Sequence, residues 1–196
     1  MKPKLFILFA IALLSVFTQA QTAEKGKIGL TYSFNGGTTV MQPALEGSAS
    51  HDVTDATAIG IIYLKPLNNW LELETGITYS LCKITTTSAP TPEVNTYKSN
   101  LSLIDIPVGL RAVFLKYFFV NGALLLDTEL TNNSSVSSQT GIGMMAGVGI
   151  KYDFRFGGSL FFNPYGKIHS LVPFGGWKHH DRILESGWKF GITCAL

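Results

Sequence analysis

The sequence predicts an all-β fold made of antiparallel strands. Apolar residues alternate with polar or small ones at period 2, and helical periodicity is scarce after the first 20 residues. The clearest stretch is TGIGMMAGVGIKYDF, in which one residue set is apolar and the other holds glycines, Lys151 and Asp153. Loops between such stretches also alternate between long and short. Both patterns are typical of strands joined as consecutive hairpins.

Eight segments alternate in this way. In chain order they cover residues 27–35, 55–64, 70–84, 100–115, 117–130, 141–154, 159–170 and 185–196. Long polar loops follow the odd-numbered segments, whereas the short turns KPLNN, LK and RFGG follow the second, fourth and sixth. This parity indicates an up-and-down meander with tight turns at one end and long loops at the other, and an even strand count leaves both chain ends on the turn side.

The individual segments differ in regularity. The third, WLELETGITYSLCKI, is among the clearest, whereas the second and the seventh are the least regular. The fourth, within LSLIDIPVGLRAVFL, contains Pro107. Proline removes a ladder donor and a closed sheet offers no edge to accommodate it, so we expect a bulge or a local break there.

Alternation alone leaves open which face points inward, since soluble lipocalin-type barrels alternate as well. Segments of ten to fifteen residues suit tilted membrane strands, which need about 9–11 residues to cross. The glycines of the sixth segment suit the narrow interior of an eight-stranded barrel. Aromatic residues gather beside the short turns and predict an interfacial girdle: Tyr63, Trp70, Phe114, Tyr117, Phe118, Tyr152 and Phe154. We therefore predict an eight-stranded antiparallel up-and-down transmembrane β-barrel.

Charged residues occupy the inward phase of this barrel. They are Glu72, Glu74, Asp105, Arg111, Asp127, Lys151, Lys167 and Lys189. Buried charges are tolerated only when paired, so we expect a cross-strand polar network in place of an apolar core. Asp105 and Arg111 are too far apart on one strand to pair directly and should reach neighbouring strands. Side chains usually fill a barrel of this size, which favours a closed lumen over a pore.

Residues 1–20 are typical of a secretory signal peptide. Lys2 and Lys4 precede an apolar run of 13 residues, and Thr18-Gln19-Ala20 supplies small residues for cleavage after Ala20. A retained membrane anchor is the alternative, but a spanning helix needs roughly 18 residues. The barrel domain then covers residues 21–196, with 13 basic against 13 acidic residues once the two lysines are removed from the 15. This balance excludes the clustered basic surface that nucleic acid requires.

Candidate reactive residues are few. Cys82 and Cys194 should lie at opposite ends of the barrel, so no intramolecular disulfide is expected. His169-Ser170, with Glu185, invites comparison with an outer-membrane lipid A deacylase, but adjacent residues of a regular strand point to opposite faces. His179-His180-Asp181 supplies no converging ligand geometry. We therefore expect no catalytic residue, no cofactor and no metal.

Several stretches resemble the PorT-like outer-membrane β-barrel domain of Bacteroidetes-type bacteria. The similar stretches are KIGLTYSFNGG, SLIDIPVGLRAVF, TGIGMMAGVGIKYDF, FNPYGKI and GWKFGITCAL, with IDIPVGLR the best single match. Together they span almost all of residues 21–196. The resemblance implies the same barrel fold and an outer-membrane location, and some family members are similar to a component linked to protein secretion.

The sequence therefore favours a non-enzymatic outer-membrane protein, acting as a structural scaffold or as a loop-based binding module. Residues 39–54, 86–98 and 171–184 are the candidate binding loops, and the apolar stretch 171–177 could plug the mouth or form a contact surface. Outer-membrane lipid and an extracellular or periplasmic protein are the expected partners of a monomer. A lipid-modifying enzyme and a soluble periplasmic lipocalin-like binding protein are the alternatives.

Overall fold

Eight antiparallel strands close into a barrel in the computed structural model, which describes residues 25–41, 50–87, 95–131, 137–175 and 181–196. The strands are β1 (Lys27–Met41), β2 (Ser50–Pro66), β3 (Leu71–Thr87), β4 (Thr96–Phe114), β5 (Phe118–Glu129), β6 (Gly141–Asp153), β7 (Gly158–Pro173) and β8 (Arg182–Ala195). Each strand pairs with the next, and β8 pairs with β1. The predicted eight-stranded up-and-down barrel is confirmed. The predicted signal peptide, His179 and His180 lie outside the described residues.

Several strands extend further than the apolar alternation indicates. β1 continues to Met41, β2 begins at Ser50 and β4 begins at Thr96, so parts of the predicted loops 39–54, 86–98 and 171–184 are strand. The last β3–β4 pair joins Thr87 to Thr96. The added residues include many threonines, which favour strands without adding to the apolar alternation, so hydrophobic periodicity did not mark these ends.

Three short connections form one end of the barrel, which we call the turn end; the opposite end is the loop end. After β2, the side-chain Oδ1 of Asn68 accepts hydrogen bonds from the backbone N–H groups of Trp70 and Leu71 at 3.0 and 2.8 Å. After β4, Leu115 and Lys116 adopt φ of 51° and 66°. Paired left-handed residues produce the twist that joins adjacent strands tightly.

Pro107 interrupts one ladder without creating a bulge. β3–β4 pairing runs to Thr75–Val108 and resumes at Thr78–Asp105 in unchanged register. Pairing between β4 and β5 continues through Pro107 and Leu125. Of the two expected outcomes, the structure therefore has the local break, because a missing N–H removes a bond without requiring an extra residue.

A bulge occurs in β7 instead. Partner pairs run from Gly141–Pro173 to Ile142–Val172 and then jump to Met144–Ile168, so β7 holds two more residues than β6 across this interval. Ser170, within the bulge, has φ of 47°. Bulges redirect the side chains around them, and this one shapes the lumen described below.

The outer face of the barrel is apolar. Side chains such as Leu30, Ile59 and Val148 are 63%, 60% and 58% exposed. Within the described ranges, no helix has the length and apolar character needed to cross a membrane.

Three apolar clusters line the described part of the lumen: one layer toward each end, and Leu125, Met145 and Tyr165 between them. The loop-side apolar layer consists of Val40, Ala56, Cys82, Ile84, Leu101, Leu103 and Ile183. The turn-side apolar layer consists of Ile62, Leu64, Phe119 and Phe161. The expectation that a polar network replaces an apolar core is therefore wrong: charged groups and apolar clusters share the lumen, and the apolar clusters exclude water and strengthen the buried ion pairs.

Candidate functional site: buried ion clusters in the lumen

All eight charged residues predicted for the lumen lie on the inward face. Seven are buried, and the Lys151 side chain is 10% exposed. The alternation fixes this placement because successive side chains of a strand point to opposite faces. Asp105 and Arg111 each pair across strands, with Lys167 and Glu74 respectively.

The central group surrounds Glu74 on β3. Its Oε2 accepts hydrogen bonds from Arg111 Nε at 3.0 Å and from Asn121 Nδ2 at 3.1 Å. Asn163 Nδ2 extends this hydrogen-bond network by donating to Asn121 Oδ1 at 3.2 Å. The Arg111 guanidinium also lies 4.3 Å from the ring centre of Phe119, in the turn-side apolar layer. Such contacts compensate the cost of burying a full ion pair.

A second group, nearer the loop end, joins β4, β5, β7 and β8. We call it the acid–histidine cluster: Asp105, Asp127, Lys167, His169 and Glu185. Lys167 Nζ lies 3.0 Å from Asp105 Oδ2 and 3.3 Å from Glu185 Oε2. The Tyr165 hydroxyl donates a hydrogen bond to Glu185 Oε1. One lysine thus serves two carboxylates from different strands.

His169 and Ser170 are both buried in the lumen. The expectation that these adjacent residues face opposite sides is therefore wrong. The β7 bulge is the cause: Ser170 has a positive φ, which turns two consecutive side chains inward. The Ser170 backbone N–H then donates to Asp127 Oδ2 at 2.9 Å.

Gly143 makes room for this arrangement. A Cβ placed on it would meet Asp127 Oδ2 and would lie 2.5 Å from the Ile168 carbonyl oxygen. Glycine is therefore required where β6 passes the bulge, because a side chain would compete with Asp127 for the same space.

Four buried polar atoms of the cluster have no hydrogen-bond partner. They are Asp105 Oδ1, Asp127 Oδ1, His169 Nδ1 and His169 Nε2. Asp105, Asp127 and His169 each offer one ligand atom, and these atoms lie within 4.8 Å of one another. Among the residues that the structure describes, these three form the group that could hold a metal ion.

A third group closes the turn end. Lys27 Nζ lies 2.6 Å from Asp153 Oδ1, and Lys151 Nζ lies 3.3 Å from Asp153 Oδ2 and 3.4 Å from Glu72 Oε1. The adjoining void has a volume of about 10 Å³, roughly one water position. Lys189, in contrast, lies 3.5 Å from Met145 Sδ and packs over the Tyr165 ring.

Sequence reasoning missed Lys27, Asp153, His169 and Glu185 as members of these groups. Glu185 shares the phase of Lys189, and His169 shares that of Lys167, so both could have been found from the alternation. Ser170 could not, because its inward position depends on the bulge.

The residues of the predicted aromatic girdle flank the three turns. Trp70, Phe114, Tyr117, Phe118 and Tyr152 are exposed, whereas Tyr63 and Phe154 are half-buried. Tyr117 stacks on Tyr152 at 6.4 Å and Phe114 on Phe118 at 5.9 Å. Outward aromatic pairs also occur away from the turns, including Phe34–Phe190 and Phe162–Trp188, so aromatic residues are not confined to one end.

The two cysteines are free and lie at different ends of the barrel. Cys82 is buried in the loop-side apolar layer, and Cys194 is exposed near the end of β8. Cys82 pairs with Leu101 across β3–β4, whereas Cys194 pairs with Gly158 at the start of β7.

Solved structures of other proteins share a weak similarity with the chain. It resembles the translocator domain of the autotransporter NalP from Neisseria meningitidis, at 11% identity and a TM-score of 0.36, covering 97% of this chain and 95% of that one. It also resembles the NanC porin, at 8% identity and a TM-score of 0.31, covering 86% and 100%. Similarities this weak carry no argument about function, and no curated protein sequence matches the chain.

The family is shown by a direct match over more than half of the chain. The model of the outer membrane protein beta-barrel domain matches residues 6–167, which include β1 to β6 and most of β7. Membership implies an outer-membrane location, consistent with the apolar outer face. The chain belongs to the outer membrane protein beta-barrel domain family.

Proposed function

We propose that this protein is a non-enzymatic outer-membrane barrel in which the lumen serves stability and the loop end serves as scaffold or binding surface. One observation carries the proposal: three groups of ion pairs and three apolar clusters fill the lumen from turn end to loop end. A transport path needs a continuous polar opening, whereas these charges are engaged with each other. Binding to a partner would therefore take place on surfaces outside the lumen, chiefly at the loop end.

An enzyme acting on lipid is the competing function, and the position of His169 argues against it. His169 and Ser170 are both 0% exposed, inside the barrel. A lipid-cleaving pair must reach the outer face or the rim where lipid lies. The outer face of β7 beside them instead carries Leu171 and Val172, each 37% exposed.

We also propose that the protein belongs to the PorT-like group and is a monomer. IDIPVGLR, the best match to that group, forms the centre of β4, where Asp105 and Arg111 each make a buried ion pair. An extracellular or periplasmic protein is the proposed partner at the loop end, since the lumen offers it no space.

Conductance measurements test the closed lumen. The full chain, refolded and inserted into a planar lipid bilayer, should give no discrete current steps. Heat-modifiable gel mobility of the same sample must show that the barrel is folded. Regular steps from folded protein would overturn the closed-lumen proposal.

Lipid analysis tests the exclusion of an enzyme. Cells carrying His169→Ala should have the same lipid A profile as cells carrying the unaltered chain, provided both proteins reach the outer membrane. A profile that changes with His169→Ala and not with Glu74→Gln, a substitution elsewhere in the lumen, would favour the enzyme.

A further inference from the structure

We propose that Asp105, Asp127 and His169 bind one divalent metal ion of the Zn²⁺ class inside the barrel. Their side chains come from β4, β5 and β7 and are 2%, 0% and 0% exposed. One ligand atom from each lies within 4.8 Å of the other two. The proposal goes beyond the scaffold function, because it assigns a ligand to the lumen itself.

The spacing of the ligand atoms fits a metal better than direct hydrogen bonds. His169 Nδ1 lies 3.4 Å from Asp127 Oδ1 and 3.7 Å from Asp105 Oδ1. Hydrogen bonds between such atoms are about 2.7–3.2 Å long, and none of the three atoms has a hydrogen-bond partner. Ligands about 2.0–2.2 Å from a tetrahedral metal lie roughly 3.3–3.6 Å from each other. The two separations from His169 Nδ1 are close to that range, and the two carboxylate oxygens lie within 4.8 Å of each other.

The two carboxylates are oriented toward a common point. Lys167 Nζ donates to Asp105 Oδ2 at 3.0 Å, and the Ser170 N–H donates to Asp127 Oδ2 at 2.9 Å. In each carboxylate the Oδ2 atom is therefore held by the protein. The Oδ1 atom is left to face His169, so the bulge in β7 positions one ligand and contributes another.

The second nitrogen of His169 also has the surroundings expected of a metal ligand. His169 Nε2 lies 3.5 Å from Glu185 Oε2. A metal-bound histidine usually directs its other ring N–H to a carboxylate, which fixes the tautomer and orients the ring. At 3.5 Å the contact is longer than a hydrogen bond, so Glu185 would accept this N–H only after a small shift of the ring, which leaves the Nδ1 lone pair for the metal.

Charge balance favours a divalent ion. Within 4 Å, the carboxylates of Asp105, Asp127 and Glu185 have one lysine ammonium, that of Lys167, while Lys189 lies farther away over the Tyr165 ring. Ser80 and Tyr165, which also face these acids, are neutral donors. With neutral His169, a divalent ion would cancel the remaining charge, which a buried cluster requires. The competing account places protons on His169 and Asp127, and metal analysis separates the two.

The choice of metal follows from the ligand types. Imidazole nitrogen with carboxylate oxygen suits Zn²⁺ and related transition metals, whereas Ca²⁺ and Mg²⁺ prefer oxygen alone. The loop-side apolar layer lies between the cluster and the loop end, so the ion is expected to enter while the barrel folds. Once bound, it would cross-link β4, β5 and β7.

The test uses the full chain, refolded in detergent with Zn²⁺, Ca²⁺, Mg²⁺ or no metal and then dialysed against metal-free buffer. We expect one Zn²⁺ per chain and a higher thermal unfolding midpoint with Zn²⁺ only. Substoichiometric Zn²⁺ with an unchanged midpoint would overturn the proposal. An equal rise with Ca²⁺ or Mg²⁺ would overturn the Zn²⁺-class assignment.

Variants locate the ion. Asp127→Asn and His169→Gln should abolish Zn²⁺ retention and the shift of the midpoint, and Glu185→Gln should weaken Zn²⁺ binding about 10-fold. Glu74→Gln, which alters the buried ion pair with Arg111, should retain the metal. Retention by Asp127→Asn and His169→Gln would overturn the site.

A measurement on the unaltered chain guards against variants that fail to fold. Refolding with Co²⁺ should give the visible absorption of tetrahedral nitrogen–oxygen ligation, and Zn²⁺ added during refolding should suppress it. Absorption identical to that of Co²⁺ in buffer would overturn the proposal without reference to any variant.

Discussion

Gly143 shows how a single residue determines the side-chain packing inside the lumen. Its missing side chain leaves room for the Asp127 carboxylate beside the Ile168 carbonyl. Asp127 can then accept a hydrogen bond from the Ser170 N–H. The bulge in β7 gives that N–H its orientation. Close packing makes such sites intolerant of one added carbon.

Replacing Gly143 with alanine should destabilise the barrel by about 1–3 kcal/mol, since overpacking forces Asp127 or the β7 backbone to move. Gly166→Ala is the matched control, because Gly166 is exposed on the next strand and the nearest atom to an added Cβ is 4.0 Å away. The control should change stability by no more than about 0.5 kcal/mol. Urea unfolding in detergent measures both, and equal losses would contradict the assigned crowding.

At the scale of elements, the turns and the bulge differ in how the sequence specifies them. Asn68 hydrogen-bonds the backbone two and three residues ahead, a local arrangement that its side chain favours. Leu115 and Lys116 adopt left-handed backbone angles although neither is glycine or asparagine. Pairing of β4 with β5 therefore imposes the turn against local preference.

Lys116→Gly should stabilise the barrel by about 1 kcal/mol, because a left-handed conformation costs other L-residues roughly 1–2 kcal/mol. Gly157 has φ of 90°, so Gly157→Ala should shift stability in the opposite direction. The urea midpoints of the two variants, compared with that of the unaltered chain, test the assignment. Shifts of the same sign would contradict it.

Over the whole molecule, the lumen is filled by apolar clusters and groups of ion pairs that follow one another along the barrel axis. The acid–histidine cluster lies between the loop-side apolar layer and the group around Glu74. Arg111 of the latter group packs on the turn-side apolar layer and also lines the void beside the ions of the turn end. Apolar side chains keep water from the ion pairs, and the ion pairs link strands across the lumen. The barrel is thus packed along its length.

Cys82 reports on this packing, because it is 1% exposed within the loop-side apolar layer. In the Cys194→Ser variant, a water-soluble maleimide should leave Cys82 unmodified in folded protein and modify it fully in urea. Mass spectrometry measures the labelling. Rapid labelling of folded protein, with heat-modifiable mobility intact, would show that the loop end is open.

The sequence predicted best those features that follow directly from the alternation of side chains along a strand. Period-2 alternation predicted the strand number, and it also identified the inward phase shared by Glu74, Arg111 and Lys167. It underestimated strand length at the loop end, since polar strands lack the signal. It also gave opposite faces to His169 and Ser170, because a regular period cannot anticipate two extra residues in β7.

By itself, the sequence determined an antiparallel meander of eight strands with one apolar and one charged face, since side-chain direction alternates in every strand. Tertiary structure alone decided which charges meet: Arg111 with Glu74, and Lys167 with Asp105 and Glu185. It also brought one ligand atom each of Asp105, Asp127 and His169 within 4.8 Å of one another. The physical reason is that partners in a barrel come from distant strands, whose relative heights depend on register and bulges that no single strand encodes.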